Sequence, residues 1–267
     1  MRSAPELFDD QAQHFDGRAG LEQTQCRQIA EAVLAVGNVG ANDLIVEIGA
    51  GTGQIGVELA AARRYLGCDL SAGMLDRFRT RLGRSTARCG LVRADAGRTW
   101  PLISGSARAI FSSRALHLLE HEHVADEVFR VGRLSGATLI IGRVERSPDS
   151  LRARLAREMR DRLRRRGFAP RSERYERRLI EACVQRGGVA LEPATVVTWS
   201  AAGSVQQSLD SWRSLSGLGG IEVPAGVRDI VLGDMKVWAT GVFGDLERTV
   251  ESEEAYVLKA VRLFRRQ

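Results

Sequence analysis

Apolar positions along the first half of the chain alternate between two periods. Ile29, Ala30, Val33 and Leu34 recur at helical spacing within 22–36, and Gly37 and Gly40 follow where such a helix should stop. The next apolar run, Leu44-Ile45-Val46-Glu47-Ile48, is short and mostly β-branched, which predicts a buried strand. A glycine cluster over 49–53 then opens a helical stretch through Val57, Leu59 and Ala60. The same alternation predicts strands at 65–69, 90–95, 109–112 and 138–141, with helices over 72–82 and 115–131. Strands alternating with helices form a parallel sheet covered on both faces. The fold class expected is therefore α/β, a doubly wound, Rossmann-like, mostly parallel sheet.

The second half has a different texture. Leu151, Leu155, Met159 and Leu163 form a narrow apolar stripe on an otherwise charged helix, which Gly167 and Pro170 end. Further helices are expected at about 173–184, 204–215 and 227–243, with strands within 189–199 and 255–263. The division read from this is a helical N-terminal cap over 1–40 and a cofactor-binding core over 41–145. Residues 146–267 form a helical insertion, acting as a lid, plus the last strands completing the sheet.

A hydrophobic share of 44% supports a packed core. No run reaches the roughly 18 apolar residues of a membrane span, and residues 1–16 lack the basic start and apolar run of a secretory signal, so a cytoplasmic location is expected. Cys26, Cys68, Cys89 and Cys183 are scattered and contain no close pair of the kind zinc sites use; no metal is expected. The formal charge of +6 is concentrated: 13 arginines face 5 acids over 146–178, a surplus of +8 that leaves −2 for the rest. Phe168 and Tyr175 are the only aromatics there, fewer than a nucleic-acid surface asks for, so a solvated helix face is the preferred reading.

The strongest chemical signal is Val46-Glu47-Ile48-Gly49-Ala50-Gly51-Thr52-Gly53. Alternating glycines after a buried strand let the backbone turn sharply and approach a ligand. Gly51, Gly53 and Gly56 also fit dinucleotide spacing, which keeps an NAD enzyme in view. Asp69 ends the second predicted strand, where a carboxylate can hold ribose hydroxyls in either kind of enzyme. Asp95, at the third, can accept a bond from an adenine amine. Glu47 precedes the glycine turn, where a carboxylate would repel pyrophosphate and tolerate a sulfonium bearing an amino group.

Those segments, with Gly67-Cys68-Asp69-Leu70-Ser71-Ala72-Gly73-Met74-Leu75, Ala94-Asp95-Ala96 and Ser113-Arg114-Ala115-Leu116-His117-Leu118-Leu119, resemble the class I methyltransferase superfamily. The similarity spans about residues 8–145 and is to the branch of ubiquinone, menaquinone and natural-product enzymes (methyltransferase type 11). It implies S-adenosylmethionine as cofactor, S-adenosylhomocysteine as product, and in-line SN2 methyl transfer to oxygen, nitrogen or carbon of a small molecule. By that resemblance Gly49, Ala50, Gly51 and Gly53 line the methionine moiety and Glu47 shapes their loop. Asp69 holds the ribose, Leu70 and Met74 pack near the adenine, and Asp95 and the Ala96 N–H meet its polar edge. Ser112 or Ser113 approaches the methionine end. Phe8, Phe15 and Arg18 lie in a segment that folds over the cofactor; Phe15 stands where many relatives carry tyrosine, and Arg18 is the candidate substitute contact.

For catalysis, His117 is the candidate general base and His14 a weaker one. His117 and His121 are expected on one helix face, four residues apart. Arg114, Tyr175, Trp199 and Trp212 are candidate acceptor-binding residues, and basic side chains near the mouth would suit an acidic substrate. The alternatives are an RNA or protein methyltransferase using 146–178, and a cofactor-binding protein without methyl transfer. Oligomeric state is not legible in the sequence.

Overall fold

A computed structural model describes residues 21–83, 88–132, 135–169, 174–215 and 217–264. The first half runs α1 (Gln23–Val36), β1 (Leu44–Ile48), α2 (Gly56–Ala62), β2 (Arg64–Asp69), α3 (Ala72–Leu82), β3 (Cys89–Arg93), β4 (Ala109–Ser113), α4 (His121–Val131) and β5 (Ser135–Arg146). The second half runs α5 (Leu151–Arg165), α6 (Tyr175–Gln185), β6 (Val189–Ala190), β7 (Ala194–Gly203), α7 (Val205–Arg213), β8 (Gly217–Leu218), β9 (Ile221–Glu222), α8 (Ala225–Phe243) and β10 (Val250–Phe264). Helix ends carry local stops and starts. A capping box closes the start of α1, where the Glu22 N–H donates to Gln25 Oε1 at 2.8 Å, and Ser71 Oγ accepts the Met74 N–H at the start of α3.

The main sheet is ordered β3-β2-β1-β4-β5-β10-β6, with β7 also paired to β10. Pairs β3–β2, β2–β1, β1–β4 and β4–β5 are parallel, whereas β10–β6 is antiparallel. The chain enters at β1, builds outward to β3, and returns to β4 on the other side of β1. That reversal makes the carboxyl ends of β1 and β4 the topological switch point, where open α/β sheets bind ligands.

Two compact units are present: 1–143 with 174–197 and 256–267, and 144–173 with 198–255. In the first, Val46, Ile48, Ile110, Leu139 and Ile141 from the sheet pack with Val124 and Val128 of α4, all buried. In the second, the predicted stripe Leu151, Leu155, Met159 and Leu163 of α5 is buried against Val231, Leu232, Met235 and Ala239 of α8 and Leu209 of α7. Each valine, leucine, isoleucine or methionine among them contributes about 1.5–3 kcal/mol by leaving water.

Two expectations need correction, and one element has no counterpart among them. The helix expected over 115–131 is broken: Arg114 takes φ +64, Leu116–Leu118 forms a single 3-10 turn, and Leu119 is extended before α4 starts at His121. His117 and His121 therefore lie on separate elements and share no helix face. The third strand stops at Arg93, which puts Asp95 in the following loop. The hairpin β8–β9 was missed because its strands are two residues long, although Gly219 and Gly220, at φ +61 and +80, are the turn residues such a hairpin requires.

Candidate cofactor and active site

The loop after β1 folds as it does because glycine alone fits. Gly49 (φ +72) and Gly53 (φ +75) are left-handed, and a Cβ would overlap the Ala115 side chain at the first and the Phe78 ring at the second. The Gly49 and Ala50 N–H groups both donate to the Cys68 carbonyl at the end of β2, at 2.8 and 3.0 Å. A Cβ built on Gly51 would meet nothing nearer than the Gly49 carbonyl at 4.0 Å, so the loop presents an open face there.

Asp69 faces that loop. Its Oδ2 accepts the Gly51 N–H at 2.8 Å and its Oδ1 accepts the Ser71 N–H at 2.9 Å. An ionised carboxylate offers about four acceptor sites, so it can serve several donors at once. One strand over, the Ala94 N–H donates to the Asp69 carbonyl at 2.9 Å, tying the ends of β2 and β3 together. Asp95 follows at once, exposed, accepting the Gly97 N–H at 2.9 Å and lying 3.5 Å from Arg98 Nε. The Ala96 carbonyl is taken by Trp100 Nε1 at 3.0 Å and His123 Nε2 at 3.2 Å, which fixes this turn. Met74 is buried, and the half-buried Leu70 gives its carbonyl to Arg93 Nε at 3.1 Å.

Glu47 is not a surface acid. It is 3% exposed and accepts the Tyr65 hydroxyl at 2.5 Å, and burial pushes its carboxyl up to about 8. At neutral pH it is largely protonated. The expectation that Glu47 repels pyrophosphate is corrected accordingly: the charge in this loop comes from Asp69, which also occupies the Gly51 N–H.

At the end of β4, the two serines differ. Ser112 is buried and donates its hydroxyl to the Ile48 carbonyl at 2.7 Å, joining β4 to β1. Ser113 is half-buried, with its hydroxyl 2.7 Å from that of Tyr256 on β10. Tyr256 is fully buried and held well above the usual phenol range by desolvation; a Cβ on Gly142 would strike its ring. Sequence reasoning missed Tyr256 as a site residue because it reads as an ordinary core position of a strand. Arg114, next in the chain, holds a left-handed backbone that costs a non-glycine residue about 1 kcal/mol or more, a strain common at ligand sites.

His117 is exposed on the 3-10 turn. Tyr175 opens α6; its ring meets His121 edge-on at 6.4 Å, and its buried hydroxyl has no hydrogen-bond partner among the described residues. Glu176 beside it pairs with Arg143 at 3.1 Å and Lys259 at 3.2 Å, which ties the start of α6 to β5 and β10. Trp199, half-buried on β7, and Trp212, packed on the α5–α8 core, belong to the other unit. His14, Phe8, Phe15 and Arg18 lie outside the described residues. Among the described residues, no group of three or more His, Cys, Asp or Glu could hold a metal ion.

The arginine surplus is largely spent within its own unit. Arg146 and Arg152 converge on buried Glu254 at 2.8 and 3.2 Å, Arg162 and Arg165 meet Glu158, Arg164 meets Asp161, and Arg166 bonds Asp234. Arg154 sits 4.5 Å over the Phe243 ring. These commitments weaken the expectation of an anion-binding surface on α5.

Comparison with known proteins bears on this site. A family model for the methyltransferase domain matches residues 45–136. No sequence relative among curated proteins matches. The YcgJ protein of Bacillus subtilis is similar in fold, with a TM-score of 0.57 at 14% identity, covering 89% of this chain and 98% of that one. Geranyl diphosphate C-methyltransferase from Streptomyces coelicolor, in complex with S-adenosyl-L-homocysteine, gives 0.50 at 16% identity over 87% of this chain and 78% of that one. The [4+2]-cyclase SpnF gives 0.54 at 13% identity over 90% and 81%. The family match starts in β1, ends at the start of β5, and takes in the glycine loop, both aspartates and the β4 serines. Over that span the chain is similar to the methyltransferase domain family, and the solved structures named above share its fold.

Proposed function

We propose that this protein transfers a methyl group from S-adenosylmethionine to a small-molecule acceptor in the cytoplasm. The observation that carries the cofactor assignment is the bond from the Gly51 N–H to Asp69. A dinucleotide enzyme leaves its loop N–H groups for pyrophosphate; here that donor faces a carboxylate. The donor set fits the smaller cofactor: an open face at Gly51 for the amino-acid end, the Asp69 carboxylate at the end of β2 for the ribose, and Asp95 with the Ala96 N–H for the adenine. When bound, S-adenosylmethionine supplies an electrophilic methyl group. The chain's part is to hold and align, which alone is worth several orders of magnitude in rate. Ser113, Tyr256 and Arg114 line the switch-point end, and Tyr175 with His121 supplies a half-buried polar pair for the acceptor. His117, exposed on its turn, remains the candidate base for an acceptor with a proton to lose. Four free cysteines support a reducing compartment.

Calorimetry with S-adenosylhomocysteine and with NAD tests the cofactor. Micromolar binding of the first and none of the second is expected, with Asp69→Asn weakening it about 10–100-fold through loss of charge-assisted hydrogen bonds. Labelled methyl donor incubated with cell extract then tests the acceptor: label should enter the small-molecule fraction. Label in RNA or protein would refute the acceptor class, and no transfer despite tight cofactor binding would favour a non-methylating role.

A further inference from the structure

Helix α8 has two apolar faces. Val231, Leu232, Met235 and Ala239 point into the core of its own unit. On the opposite side Ile230 is 55% and Val237 76% exposed, one heptad apart and on one stripe. Gly226, Gly233 and Gly241 fall on the same stripe, with nothing among the described residues within 4 Å of a Cβ built on any of them. None of the three has a positive φ, so neither backbone geometry nor internal crowding calls for glycine. Gly233, in the middle of the helix, destabilises it by roughly 1 kcal/mol relative to alanine. A helix with apolar residues on two opposite faces has one face left to cover, and glycines on an outward face let another backbone come close.

The flanking charges indicate what approaches. Asp229 and Lys236, both exposed, lie on the same edge of the stripe, also one heptad apart. In an antiparallel pair of identical helices like edges meet, so two opposite charges on one edge become mutually complementary. The midpoints of Asp229 with Lys236, of Ile230 with Val237 and of Gly226 with Gly241 all fall beside Gly233. One two-fold axis there satisfies the charges, the apolar pair and the small residues together, as an isologous contact requires. A lipid surface fits poorly: Arg228, Asp229, Asp234 and Lys236 leave the helix neutral, without the basic face that draws a helix to anionic membranes.

We propose that the outward face of α8 joins a second copy of this chain, the two helices running antiparallel and crossing at Gly233. Asp229 meets Lys236 of the partner subunit, and Ile230 packs against Val237 of the partner subunit. The contact is independent of methyl transfer.

Sedimentation velocity of the full chain across a concentration series tests this. Wild type should sediment at twice the 29.3 kDa chain mass. Val237→Glu should yield monomer at the same concentrations. Asp229→Lys should weaken the dimer by about tenfold or more, and combining it with Lys236→Asp should restore most of that loss. Gly233→Leu separates interface from folding: a leucine improves the helix of the monomer and raises its melting temperature, yet blocks the crossing and removes the dimer. A monomeric wild type, or a dimer that survives Val237→Glu and Gly233→Leu, overturns the proposal, as does failure of the charge swap to rescue.

Discussion

Replacing Glu47 by glutamine should flatten a pH dependence that the wild-type fold carries. The carboxyl is 3% exposed, and desolvation moves it from an ordinary 4.5 to about 8. The folded chain therefore keeps a proton that the unfolded chain gives up. Stability from this group is fully present below pH 4.5, is lost progressively as pH rises to 8, and is level above that. At about 1.4 kcal/mol per pKa unit, the whole loss is on the order of 5 kcal/mol. A glutamine side chain copies the shape of the protonated acid, retains an acceptor for the Tyr65 hydroxyl, and cannot ionise. At pH 5 the two proteins should melt within a few degrees of one another. By pH 8.5 the variant should be the more stable, by roughly 10–20 °C at about 2–4 °C per kcal/mol. The assay is thermal unfolding followed by circular dichroism at half-unit steps of pH, wild type and variant side by side. The difference between the curves isolates position 47 from all other titrations. Parallel curves would refute the reasoning and mean that Glu47 is ionised in the fold at neutral pH.

Three further outcomes follow from the same geometry. Gly49→Ala combines a left-handed backbone with overlap on Ala115, so the variant should lose S-adenosylhomocysteine binding by calorimetry and melt at least a few degrees lower, at about 1 kcal/mol or more of strain. Tyr256→Phe and Ser113→Ala each remove the same 2.7 Å hydrogen bond, so their effects on cofactor affinity should be non-additive, the double variant being no worse than the poorer single one. Leu155→Ala empties a fully buried position of α5 and should lower the unfolding free energy in denaturant titration by about 2–5 kcal/mol, while the Glu47-dependent pH profile is unchanged.

What was legible in the sequence is what hydrophobic period and glycine chemistry write locally. Ile45, Val46 and Ile48 of β1, the stripe of α5 and the run of α8 each identify an element from a few neighbours, and the alternation of elements then fixes a parallel sheet. Asp69 was legible as a strand-end acid because it follows an apolar run, whereas Asp95 proved to lie in the loop two residues past its strand. The ionisation state of Glu47 was not, since it depends on Tyr65, eighteen residues away, and on complete exclusion of water. Nor was Tyr256: its bond to Ser113 spans 143 residues and arises only when β10 enters the sheet beside β5. The break after Arg114 was hidden because Leu116, Leu118 and Leu119 have good helix propensity; a left-handed residue at the end of β4 overrode it.

The parts of the site differ in how firmly they are held, and the difference follows the division of chemical labour. The ends of β1 and β4 are locked by the Ser112 hydroxyl on the Ile48 carbonyl, by the fit of Gly49 against Ala115 and by parallel pairing in register. The ends of β2 and β3 are locked by the Ala94 N–H on the Asp69 carbonyl and by Trp100 and His123 on the Ala96 carbonyl. These locks combine side-chain and backbone hydrogen bonds with close packing, and under the proposed function the rigidity they give serves the cofactor, the ligand that does not change from turnover to turnover. Tyr175 differs: its buried hydroxyl has no hydrogen-bond partner among the described residues. A buried phenol without a partner costs about 1–3 kcal/mol unless something binds it. Under the proposed function, an acceptor that offers an oxygen or nitrogen to Tyr175 would recover that cost, and the acceptor would then be the ligand that completes the site.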